Sequence, residues 1–97
     1  MTQTIEDKAI VLAQRYLDQY KERDTVKGFS PETISQLGTR IEHRRKYILV
    51  DYVLSNGQQC GLWMVDRETG YVYGIRGYGN RGRFVNTIDN LIAELTA

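Results

Sequence analysis

Over residues 4–22 the apolar and aromatic side chains fall at Ile5, Ala9, Leu12, Ala13, Tyr16, Leu17 and Tyr20, which is one stripe of an α-helix. Thr4 is placed to cap that helix, with Asp7 three positions on, and residues 23–28 are expected to break it. Ser30-Pro31-Glu32 reads as an N-cap, a proline at the first helical position and an acid at the positive helix end. A short second helix is therefore predicted over 31–37, ending at Gly38.

From Tyr47 the period changes to two, with β-branched and aromatic residues over 47–54 and the hairpin signal Asn56-Gly57 behind them. A two-residue turn there pairs Leu54 with Gln59, Tyr52 with Gly61, Val50 with Trp63 and Ile48 with Val65. The turn Asp66-Arg-Glu-Thr-Gly70 starts on an acid and ends on glycine, so 71–76 is expected as a third antiparallel strand, with Trp63 across from Gly74. Residues 40–43 are available to lengthen the first strand. The last segment, 84–95, has apolar positions at Val85, Ile88, Leu91, Ile92 and Leu95 and is expected as a C-terminal helix capped by Asn86 or Thr87.

The predicted fold is α+β: an N-terminal helix, a short second helix, a three-stranded antiparallel meander and a C-terminal helix. Ninety-seven residues fit one domain, 1–97, with a single core. Alternation divides the strands into a face with Ile48, Val50, Tyr52, Leu54, Trp63, Val65 and Val72, and a face with Leu49, Asp51, Val53, Cys60, Leu62, Met64, Tyr71, Tyr73 and Ile75. Both are largely apolar, whereas a sheet with helices on one side usually turns a polar face to water. The second face is expected to be covered, by wrapping helices or by a second copy of the chain as a homodimer.

Thirteen basic against twelve acidic residues leave a net charge of +1, too little for a global field that draws the chain onto nucleic acid or membrane. Residues 1–37 hold five bases and six acids, and residues 38–97 hold eight bases and six acids, with local excesses at 40–46 and 76–83. Cys60 is the only cysteine, which excludes an intrachain disulfide and a cysteine zinc cluster. The polar, acidic start and the lack of any apolar run near ~18 residues point to a cytoplasmic protein without a membrane span.

Candidate chemistry concentrates in residues 71–84, which hold four glycines, three tyrosines, three arginines and no acid. Gly77-Tyr78-Gly79-Asn80-Arg81-Gly82 matches a dinucleotide-binding glycine pattern in letters, but the parallel βαβ unit and the downstream acid that pattern needs are missing. A looser expectation remains: loop amides and the following helix N-terminus form an anion-favourable spot beside Arg76, Arg81 and Arg83. Tyr52, Trp63 and Arg76 are expected to converge on one sheet face, where rings and a guanidinium suit a protein interface or stacked nucleobases.

His43, the sole histidine, precedes Arg44, Arg45 and Lys46 but has no orienting carboxylate or nucleophile in view. Cys60 shares strand parity with Leu62 and Met64 and reads as core. Asp51 interrupts an apolar run, which calls for a basic partner at the sheet edge. No nucleophile, base and oxyanion donor can be placed together, and no ligand set for a metal or cofactor stands out.

The expected function is that of a small non-enzymatic protein-binding or regulatory module whose partner is another protein or a second copy of itself. Its expected binding residues are Tyr52, Trp63, Arg76, Gly77, Tyr78, Gly79, Arg81, Gly82 and Arg83. The alternative is an anion or single-stranded nucleic-acid binder using residues 76–83.

Overall fold

The computed structural model describes residues 3–77 and 80–96. Helix α1 (Ile5–Lys27) is followed by α2 (Pro31–Ser35), strands β1 (Gly38–His43), β2 (Tyr47–Val53), β3 (Gln59–Asp66), β4 (Tyr71–Gly77) and β5 (Asn80–Thr87), and helix α3 (Ile88–Thr96). The strands form one antiparallel sheet in the order β1-β2-β3-β4-β5. The architecture is thus the expected α+β arrangement, but the sheet has five strands where three were expected. Residues 38–43 make a strand of their own instead of lengthening the next one. Residues 80–87 pair with β4 instead of forming a loop and the start of the last helix.

Thr4 caps α1 as its spacing predicts, its Oγ1 accepting from the Asp7 amide at 3.1 Å. The helix runs five residues past the predicted stop at 22, because nothing between Arg23 and Lys27 breaks it. Thr25, the residue there most prone to leave a helix, turns its hydroxyl back onto the Lys21 carbonyl at 2.8 Å. Termination falls to Gly28, whose φ of 92° lets its N–H and that of Phe29 close on the Thr25 and Asp24 carbonyls, at 3.1 Å each. Ser30 caps α2 by accepting from the Thr33 amide.

The register refines the predicted hairpin. Val50 pairs with Trp63, Ile48 with Val65 and Trp63 with Gly74, as the spacing predicts. Nearer the turn, Tyr52 pairs with Cys60 and Asp51 with Gly61, one residue off the predicted pairs. Gly57 at φ 86° closes a three-residue loop, with the Leu54 amide bonded to the Gln58 carbonyl at 2.9 Å. A bulge at Leu62 then absorbs the slip. Cys60 consequently faces the same way as Tyr52 and is half-buried, instead of lying in the core beside Met64. The Asp66 turn is as predicted: its carboxylate accepts from the Glu68 and Thr69 amides at 2.8 and 3.2 Å, and Gly70 sits at φ 75°.

Both long helices pack on one face of the sheet. Ala9, Leu12 and Ala13 of α1 meet Ile48, Val50, Val65 and Val72, with Ile88 and Leu91 of α3 completing the buried cluster. Tyr16 stands edge-on to Tyr52 and Trp63, with ring centroids at 5.8 and 5.1 Å. At the far end Arg67 donates to Glu6 at 2.8 Å and to the Arg44 carbonyl at 2.9 Å, tying the first turn of α1 to two strand connections. Among the described residues, no helix is long and apolar enough to cross a membrane.

Leu12 is fully buried at the centre of the helix–sheet contact. Leu12→Ala is expected to lower the unfolding free energy by about 3 kcal/mol, read from the urea midpoint at unchanged m-value.

Candidate binding face

Pairing places Glu42, Leu49, Met64, Tyr73 and Phe84 in one row across all five strands, on the face turned away from the buried cluster. Leu49 and Met64 are buried in the floor of this face, while its β4–β5 side is exposed. Phe84 is 54% exposed and is flanked by Tyr71 and Tyr73 at centroid distances of 5.4 and 5.8 Å, both edge-on. The Arg81 guanidinium lies 4.6 Å from the Tyr73 centroid and donates to the Tyr47 hydroxyl at 3.3 Å. A groove of about 540 Å³ runs along the hairpin, lined by Gly74, Ile75, Arg76, Arg81, Gly82 and Arg83.

Glycine has a packing role in this hairpin. A Cβ on Gly82 would lie 2.8 Å from the Gly74 carbonyl oxygen, so the two backbones approach more closely than a side chain allows. The register of β5 against β4 shifts at three places, between Val72 and Tyr73, between Tyr73 and Ile75, and between Ile75 and Gly77. An edge so irregular is a poor template for strand addition, which turns attention to the face of the sheet.

The expected site residues therefore fall into two groups. Arg76, Arg81, Gly82 and Arg83 come together in the hairpin groove. Tyr52 and Trp63 also come together, but around Tyr16 beneath α1, and not beside Arg76 on an open face. Gly77 ends β4 opposite Asn80, while Tyr78 and Gly79 lie outside the described residues. The anion spot at a helix N-terminus is corrected, because α3 begins at Ile88 and the arginines sit on strands. His43 and Cys60 pair with Ile48 and Tyr52, toward opposite ends of β2, which separates them.

Tyr47, Tyr71, Tyr73 and Phe84 were missed as members of the site. The shared parity of Tyr71 and Tyr73 was visible in the sequence, but Phe84 was assigned to a helix and so could not be placed between them. Asp51 lies on the same face, opposite Arg40 and Gly61. Burial pushes its carboxyl up and Glu42 adds to the shift, against the opposing pull of Arg40 and Arg44. The chain matches no family model, no curated protein and no solved structure.

Three substitutions test this geometry. Gly82→Ala is expected to cost about 1–3 kcal/mol, since Gly74 backbone must move. Gly74→Ala, whose nearest neighbour would be 3.9 Å away, should stay within about 0.5 kcal/mol of wild type in the same urea titration. Asp51→Asn should raise the melting temperature at pH 7, because a carboxyl with a raised folded pKa costs stability while ionised. The gain should shrink as pH falls through that raised pKa toward the ordinary value of 3.8, where the wild-type carboxyl takes up its proton.

Proposed function

We propose that the protein is a non-enzymatic binding module whose bare sheet face engages another protein. The observation that carries this reading is the exposed Phe84 ring held between Tyr71 and Tyr73 with Arg81 alongside. Aromatic anchors ringed by arginine are the composition that protein interfaces favour, and a fixed ring loses little conformational freedom on binding. The charges near the face sharpen it: Arg81 lies on its β4–β5 side, Arg76 and Arg83 line the adjoining hairpin groove, and no acid occurs from 71 to 87. A partner with acidic side chains around an apolar centre fits that side.

A second copy of the chain meets the same description. Asp51 and Glu42 lie on the β1–β2 side of the face and Arg81 on the β4–β5 side. A twofold axis through the face would bring one copy's Arg81 toward the other's acids and give Asp51 the cation it needs.

Sedimentation equilibrium tests self-association directly. The wild type should associate at tens of micromolar, and Phe84→Ser or Arg81→Ala should weaken that at least tenfold while leaving circular dichroism unchanged. A photo-crosslinker tests the face for any protein partner. It should capture a partner from position 84 but not from Gln14, which is exposed on α1. Equal capture from both positions would remove the face as the binding surface.

A second reading, single-stranded nucleic-acid binding, is favoured by one observation: the Arg81–Tyr73 stack lies beside the exposed Arg76 and Arg83. The net charge of +1 ranks it below a protein partner. Engagement of three phosphates would give a log–log salt slope of about −2, flattened by Arg81→Ala with Arg83→Ala. Binding weaker than micromolar at physiological salt is the expected result.

A further inference from the structure

We propose that the pocket enclosed by the last turns of α1, by α2 and by the end of β2 binds an alkylammonium group. The pocket has a volume of about 220 Å³, and Tyr20, Asp24, Phe29, Thr33, Tyr52 and Ser55 contribute to its wall. A dry cavity of about 150 Å³ already holds a benzene-sized molecule, so an alkyl chain of a few carbons fits.

Tyr52 and Asp24 both contribute polar atoms to that wall, and the Tyr52 hydroxyl is buried without a partner. Tyr52 is 3% exposed, and its hydroxyl has no hydrogen-bond partner among the described residues. Burial pushes this phenol well above its ordinary pKa, and the Tyr20 phenol and the Asp24 carboxylate add to the shift, so it stays neutral. The Tyr20 hydroxyl is near enough to contribute, yet it does not meet hydrogen-bond geometry with Tyr52 Oη. Asp24 is 9% exposed, and the ion pairs formed among the described residues do not include it. Its backbone carbonyl is committed to the turn that ends α1. Its carboxyl group stands in the pocket wall outside those ion pairs, where a cation would complement it.

The aromatic walls select the same charge. Tyr20 and Tyr52 lie 4.6 Å apart between centroids, and the Arg23 guanidinium already sits 5.0 Å from the Tyr20 centroid, lining a separate cleft with Tyr16 and Gln19. A primary ammonium has three donors, enough for the Asp24 carboxylate, Tyr52 Oη and one further oxygen such as that of Thr33. A quaternary ammonium would leave Tyr52 unsatisfied, and an anion would face Asp24. Leu37 and Leu54, in the same wall, suit the alkyl part. Lys27 also lines the pocket and competes for Asp24.

The group arrives either on a small amine or as the end of a lysine side chain from a partner. Titrations followed by protein NMR with n-butylammonium and with Nα-acetyl-lysine methylamide separate these sources, and n-butanol is the uncharged control. Saturable shifts at Asp24, Thr33 and Tyr52 are expected with both cations, with n-butanol at least tenfold weaker. Tighter binding of n-butylammonium assigns a small amine, and tighter binding of the lysine probe assigns a partner's side chain. Asp24→Asn should reduce affinity at least tenfold and Tyr52→Phe severalfold, whereas Lys27→Gln should raise it. Equal binding of n-butanol, or no saturable binding of either cation to the wild type, would overturn the proposal whatever the variants do. So would full affinity in a folded Asp24→Asn protein. None of these outcomes depends on the bare sheet face.

Discussion

The close seating of α1 on the sheet governs the rest of the molecule. At Ala9 and Ala13 the helix meets the strands with nothing longer than a methyl group, so Leu12 reaches down among Ile48, Val50 and Val65. That contact and the packing of α3 beside α1 use up one face and leave the opposite face to its own side chains. It also fixes where α1 ends. Because the helix continues to Lys27, Asp24 is carried over the end of β2 and joins Tyr20 and Tyr52 in one pocket wall.

Signals confined to a few adjacent residues were legible in the sequence. The Thr4 and Ser30 caps and the Asp66–Gly70 turn each rest on one side chain meeting nearby amides, the proline at 31 on its preset φ at a helix start, and each is present in the fold. The two-residue period separated the strand faces correctly wherever no bulge intervened, as the burial of Ile48, Val50, Val65 and Val72 shows. The bulge at Leu62 is where alternation failed, and it carried Cys60 to the other face. A bulge compensating a longer turn leaves no mark in the letters, because each half of the hairpin keeps its own period.

The β4–β5 hairpin was misread for a different reason. Glycine at 77, 79 and 82 suggested a loop, since glycine is weak in strands. In the fold, Gly82 is required by the close approach of the Gly74 backbone, a contact between residues eight apart that local propensity does not report. Phe84 and Val85 favour a strand, yet the helical spacing of Ile88, Leu91, Ile92 and Leu95 drew Val85 into the helix. The arginine cluster and the shared face of Tyr71 and Tyr73 were therefore visible, while Phe84 between them depended on a strand not foreseen.

Each strand pairs with its neighbour in sequence, so the sheet can close as a series of hairpins with little loop entropy to overcome. The contact between α1 and α3 is the reverse, joining Lys8 to Asp89 at 2.9 Å over a sequence separation of 81. A chain growing from its N-terminus makes α1 before every strand that α1 packs on, and the β4–β5 hairpin after the other strands. Throughout that interval the Leu12 stripe has none of the strands that bury it in the finished molecule and stays open to water.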